Sequence, residues 1–273
     1  MTGLLKADIY RVRKNRLTLV ALILALGFPV LTVLLYAGIR LAAGGGDDPA
    51  LDMVLNANAI IGSVYSLTNN IGLAVPAFAG ILVCTDYTNG TLRNKVIAGN
   101  RRWQIYLSHL TVAVLFSVAV ITLYAAVTAG LALLFFPFAK DPSVDLGKEI
   151  LRFAVNGTLS FVFMASFSTM LAMTLRSIAP TIIFTIVFAM LLLAVTSVIQ
   201  LVDYERYRYA VYLIPTFAGN FSSLSELNLA GLLGRTASAP LDTIFAEGVL
   251  SYLFFSAVHT AIGMWVFTKR DVK

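Results

Sequence analysis

The densest run of reactive and charged side chains is Asp86-Tyr87-Thr88-Asn89-Gly90-Thr91-Leu92-Arg93-Asn94-Lys95-Val96-Ile97-Ala98-Gly99-Asn100-Arg101-Arg102-Trp103. It holds one carboxylate and four cations. That is no pair of carboxylates for acid–base work, but it suits electrostatic docking. Gly90 can end an incoming helix in a left-handed cap. Thr91 can N-cap a new helix, and Gly99 can end it. The spacing predicts a helix of about two turns over Leu92–Ala98. Leu92 and Val96 lie four apart and share a face. Asp86 has Arg93, Arg101 and Arg102 within reach in sequence. Such a bounded helix, with an apolar stripe and fixed charges, fits docking into a partner's groove. The same residues also read as a solvated basic loop.

Polar residues inside apolar runs are the other candidates. Asn69 and Asn70 lie six residues before Pro76, and His109, Asn156 and His259 are also intramembrane by position. Buried amides and imidazoles in a bilayer need partners across helices or a wet cavity. Asn69, Asn70 and His259 are therefore candidates for a substrate path, and equally for plain interhelical hydrogen bonds. Cys84 is the single cysteine, which excludes an internal disulfide and a cysteine metal cluster. There is no G-x-x-x-x-G-K-[ST] and no H-E-x-x-H. We assign no catalytic, cofactor-binding or metal-binding residue.

These residues must be positioned by membrane helices. Hydrophobic residues make up 59% of the 273, and only 12% are charged, about half the share of a soluble domain. Mean hydropathy is +0.85. A water-soluble fold could not cover its surface with so few charges. The net charge of +6 is expected from cations kept on one side of a membrane, rather than from a nucleic-acid partner. A helical span needs about 20 apolar residues. Charge-free runs place six spans at about 17–39, 59–85, 105–136, 153–175, 179–202 and 248–268. The first is too long, and too closely followed by others, to be a cleavable signal peptide. The third run extends over 103–139, too long for one upright span. It predicts an interfacial start at Trp103–Tyr106 and an aromatic exit at Phe135, Phe136 and Phe138.

Six spans put both termini on one side. That side (1–16, 86–102, 176 and 269–273) carries 13 of the 20 lysines and arginines on the fewer connecting residues, so both termini are read as cytoplasmic. Leu4, Leu5, Ile9 and Val12, with Lys6, Arg11, Arg13, Lys14 and Arg16 around them, predict an amphipathic helix over 1–16 in the headgroup layer. The outer segment 203–247 opens on Asp203-Tyr204-Glu205-Arg206-Tyr207-Arg208-Tyr209. It has room for two short helices, at 209–219 and 224–234. The whole reads as one all-α integral membrane domain over 1–273.

The stretch Asp86-Tyr87-x-x-Gly90-Thr91-x-Arg93, followed by Gly99-x-Arg101-Arg102, resembles a signature of ABC-2 type permeases, the membrane subunits of ATP-binding cassette transporters. The ending Phe267-x-Lys269-Arg270-Asp271 is similar too. The six-span layout matches over the whole chain; the sharp motif covers about 20 residues. The resemblance implies a coupling region at 86–104 that rests on a separate ATPase through Asp86, Tyr87, Gly90, Thr91, Leu92, Arg93, Val96, Arg101 and Arg102. It implies a second contact at Arg176, an elbow-like N-terminal helix, and an outer gate within 203–247. ATP and Mg would belong to the partner ATPase. Further implied partners are a second or sister permease and membrane lipids, in the plasma membrane of a bacterium.

The expected function is thus the permease of an ATP-driven exporter. A charge-free path lined by Phe, Leu, Ile and amides suits a hydrophobic or amphipathic cargo, such as a peptide antibiotic, a toxin or a lipophilic drug. Two other classes stay open. A stand-alone secondary transporter or channel would depend on an ion gradient, with His259 as relay. A membrane sensor or anchor subunit would use 203–247 to bind a ligand.

Overall fold

The computed structural model describes residues 2–42, 55–65, 71–137, 146–202 and 241–269. Among these, every regular element is a helix. In chain order they are α1 (Thr2–Lys14), α2 (Arg16–Ala42), α3 (Ala57–Gly62), α4 (Ala74–Thr88), α5 (Thr91–Ile97), α6 (Arg102–Phe135), α7 (Leu146–Leu175), α8 (Ile178–Val202) and α9 (Leu241–Lys269). Five described helices are long and apolar enough to cross a membrane: α2, α6, α7, α8 and α9. The protein is a multi-pass membrane protein.

Helix α7 is the centre, packed on α4, α6, α8 and α9. Its apolar window is 56% buried, against 22% for α2 and α9. Peripheral helices turn Leu19, Ile23, Leu34, Phe254 and Trp265 outward, as expected where lipid is the solvent. Close approach inside the bundle depends on small residues. A methyl on Gly80 of α4 would run into Ser168 of α7 and Thr181 of α8. There Ser168 Oγ donates to the Pro76 carbonyl at 2.7 Å.

Helices α1 and α2 are separate. At the break, the Asn15 side chain accepts from Leu17 N–H at 2.9 Å, and Thr18 Oγ1 donates to the Val12 carbonyl at 2.6 Å. These bonds satisfy groups that helix ends leave open. Leu4, Leu5 and Val12 of α1 pack on the main core, while Lys6, Ile9, Tyr10, Arg13 and Lys14 face outward.

One expectation is corrected. The run 59–85 is not one membrane-length helix. It is α3, a turn to Tyr65, and the 15-residue α4. Pro76 sits in the first turn of α4, where its missing N–H has no helical partner to lose, so a helix starts there instead of passing through. Hydropathy alone sees only an unbroken apolar stretch. Helix α6 is continuous over the 34 residues Arg102–Phe135, about 51 Å long. Helices α7 and α9 begin at Leu146 and Leu241, ahead of their membrane-length apolar parts, Leu151–Leu175 and Gly248–Lys269. The expected helices at 209–219 and 224–234 lie outside the described residues.

Candidate functional site

The short helix α5 spans Thr91–Ile97, bounded by Gly90 (φ 67°) and Gly99 (φ 84°). Both sit in the left-handed region that glycine adopts freely. Thr91 does not cap α5: Gly90 does, and the Thr91 hydroxyl turns back to the Asp86 carboxylate at 2.7 Å. Leu92 is buried and Val96 packs on the core. The apolar stripe therefore roots α5 in its own chain and is not free for a partner. The outward residues are Arg93, Asn94, Ile97 and Arg101, with Ile97 72% exposed.

Beneath α5 lies a buried ionic junction of α1, α4, α5 and α6. Asp86, at the end of α4, is fully buried. Its Oδ1 pairs with Arg11 of α1 and accepts from Thr91. Its Oδ2 faces Lys95 Nζ at 3.0 Å and His109 Nε2 at 2.5 Å. Asp8 of α1, also buried, accepts from Lys95 Nζ at 2.6 Å and from Ser108 Oγ at 2.6 Å. Lys95 thus reaches two carboxylates and, at 3.3 Å, the His109 ring. His109 Nδ1 lies 2.8 Å from the Ile105 carbonyl.

Burial would raise the Asp8 carboxyl. The His109 and Lys95 charges and the hydrogen bonds from Lys95 and Ser108 outweigh it, so the group titrates below its ordinary value. Burial lowers the Lys95 ammonium, and Asp8 opposes the shift. Isolated buried charges are costly; here each has an opposite charge in contact. The ligand-type atoms of Asp8, Asp86 and His109 lie within 4.8 Å of one another. Lys95 and Arg11 already supply the cations, and side-chain hydrogens use the carboxylate oxygens. The donor set does not fit a metal ion.

The sequence reading placed Asp86 but not its partners. Arg11, Lys95 and His109 serve it, whereas Arg93 and Arg101 point away. Arg102 donates to the Thr268 carbonyl at 2.9 Å, tying α6 to α9. Tyr87 donates to the Met173 carbonyl at 3.2 Å, and the Arg176 guanidinium lies 5.7 Å from its ring centroid. Arg176 itself adopts φ 57°, so the turn between α7 and α8 meets the end of α4. Asp8 and Lys95 were missed, although both interrupt an apolar face. Asp8 lies four residues from Leu4 and from Val12, and Lys95 lies three from Leu92.

His259 is in a different environment. Its ring sits 5.1 Å from those of Phe163 and Phe167 and 6.4 Å from that of Phe188. Nδ1 is 3.2 Å from Ser166 Oγ. This is an interhelical bond inside an aromatic box of α7, α8 and α9. Asn69 and Asn70 lie outside the described residues.

Together, membrane-length helices and a buried ionic junction at one end of the bundle define an all-helical multi-pass membrane protein. Residues 51–273 match the model of a family described as protein of unknown function, DUF2705. The chain belongs to that family. No curated protein matches its sequence.

Proposed function

We propose that this chain is the membrane subunit of an ATP-driven exporter, with cytoplasmic termini and six crossings, the second one interrupted. In this reading α5 bears on a separate ATPase chain, and the cargo path lies between this permease and a second copy or sister permease. The observation that carries it is the build of α5. It is a two-turn helix, held by Leu92, Val96 and Lys95, that presents Arg93, Asn94 and Ile97 outward, with Arg101 exposed just beyond its end. Closure of the ATPases would push on that face, and the ionic junction would pass the motion to α1, α4 and α6. The resemblance of Asp86–Arg102 to the ABC-2 signature supports the same reading. A hydrophobic or amphipathic cargo follows from the charge-poor spans. No step of ATP chemistry is assigned to this chain.

The test is mass spectrometry of the complex extracted in mild detergent from its own membrane. A co-purifying P-loop ATPase, lost in Arg93→Glu/Arg101→Glu, is the expected result. A permease that comes out alone, with transport indifferent to ATP, would overturn it. One observation favours a second reading, a stand-alone secondary transporter: the buried acid–imidazole–lysine cluster is the type of side-chain set that carries protons in membranes. Proton-driven flux without any ATPase would establish that reading instead.

A further inference from the structure

Helix α1 sorts its charges by sign. Its single carboxylate, Asp8, is buried and accepts from Lys95 and Ser108. Arg11 pairs with the buried Asp86. The other cations, Lys6, Arg13 and Lys14, face outward. Lys6, Tyr10 and Lys14 lie four apart, and Ile9 and Arg13 lie four apart beside them, so the five side chains form one stripe. Tyr10 is 65% exposed and Ile9 41%. Among the described residues no carboxylate pairs with Lys6, Arg13 or Lys14. Leu4, Leu5 and Val12 pack on the protein's own core. The apolar face of α1 is thus taken up by protein, and what it offers outward is cationic.

We propose that this outward stripe binds the headgroups of anionic phospholipids. The chain itself marks the depth. Arg16, two residues beyond Lys14, is exposed and opens α2, a helix long enough to cross a membrane. From Leu19 the outward residues of α2 turn apolar, with Leu19, Val20, Leu22 and Ile23 exposed. The change from cations to hydrocarbon side chains falls between Arg16 and Leu19, which puts the α1 cations at the level of the headgroups. A tyrosine and an isoleucine set among those cations suit that layer, where amphipathic rings settle. Clustered lysine and arginine there attract anionic lipid.

The lipid face and the ionic junction are two sides of one helix. Asp8 fastens α1 to Lys95 of α5, and Arg11 fastens it to Asp86 of α4. An anionic headgroup held on the outer side of α1 braces these pairs from behind, and with them α5. A ligand bound by the folded form alone stabilises that form. The proposal is independent of the exporter reading and does not require an ATPase.

The test places the full-length protein in nanodiscs of equal parts phosphatidylcholine and phosphatidylglycerol and counts the lipids it retains by native mass spectrometry. The expected result is a preference for phosphatidylglycerol of about fivefold for each contributing cation. Lys6→Gln/Arg13→Gln/Lys14→Gln should lose most of it, whereas the charge-keeping Lys6→Arg/Arg13→Lys/Lys14→Arg should keep it. The heat-induced opening of the bundle, read by dye capture of the buried Cys84, should also come later in phosphatidylglycerol-containing nanodiscs than in phosphatidylcholine alone, and the glutamine variant should close that gap. Equal retention of the two lipids by the unaltered protein would overturn the proposal, whether or not the glutamine variant folds. A preference or a gap undiminished in the glutamine variant would overturn it as well. So would a glutamine variant that keeps its phosphatidylglycerol but sheds a co-purifying acidic protein.

Discussion

Lys95→Met removes the cation that two buried carboxylates share. Methionine keeps the length and apolar stem of lysine, so packing under α5 changes little. What changes is charge: Asp8 keeps Ser108, Asp86 keeps Arg11 and His109, and the junction loses one positive charge. Removing one partner of a buried ion pair costs about 3–5 kcal/mol. Lys95 retains 15% exposure, which puts the cost near the lower end, about 3 kcal/mol. For a chain of this size each kcal/mol shifts the midpoint by about 2–4 °C, so the expected fall is about 6–12 °C. Cys84 supplies the assay. It is the single cysteine and is 1% exposed, so a thiol-reactive dye added during heating reports when the bundle opens. Asp8→Asn on the Lys95→Met background removes the stranded negative charge and is expected to restore at least half of the loss. A midpoint unchanged in Lys95→Met, or no recovery in the double variant, would refute the reasoning that Lys95 and Asp8 act as a buried pair.

Further predictions use the same readout. Asp8 has a folded value below its unfolded one. Its contribution is therefore present above the unfolded carboxylate value, about 3.9, and disappears as pH falls through the folded value. Unaltered protein and Asp8→Asn should differ at neutral pH and converge in acid, and a constant gap would contradict this. The Tyr106 hydroxyl is buried with no hydrogen-bond partner among the described residues, and a methyl on Gly263 would strike it. Tyr106→Phe should be neutral or stabilising, whereas Gly263→Ala should lower the midpoint, since the added methyl would also strike the Tyr106 ring carbons. Gly90→Ala meets nothing within 4 Å, so its cost is the left-handed backbone alone, about 1–2 kcal/mol. A much larger loss would mean that the turn before α5 packs more tightly than described.

What the sequence made legible was local. Gly90 and Gly99 mark the ends of α5 because a left-handed turn favours glycine wherever it occurs. The membrane-length helices follow from apolar runs for an equally local reason. The junction was not legible because its contacts cross long stretches of chain. Asp8 meets Lys95 87 residues away and Ser108 100 residues away. Sequence proximity instead offered Asp86 the arginines at 93, 101 and 102. The outward turn of Arg93 and the inward turn of Lys95 depend on which face of α5 meets α1, and that is set only on assembly. The interruption of the second crossing escaped for another reason: Ile71–Ala79 is as apolar as any helix interior, and hydropathy says nothing of where a helix restarts.

Helix α6 has a mechanical consequence. At 34 residues it is about 51 Å long, well beyond the roughly 30 Å hydrocarbon slab. One end holds Ser108 and His109 in the ionic junction. The other packs Ala132 and Phe136, the residue just past its end, against Val33 of α2 and Ala57 and Ile60 of α3. With no proline and no break, it is a stiff strut joining two anchorages at opposite ends of the bundle. Pivoting a rod of that length by about 10° sweeps its far tip through about 9 Å. A small slackening at the Asp86–His109 end would therefore arrive at the α2–α3 end magnified, with no messenger needed in between.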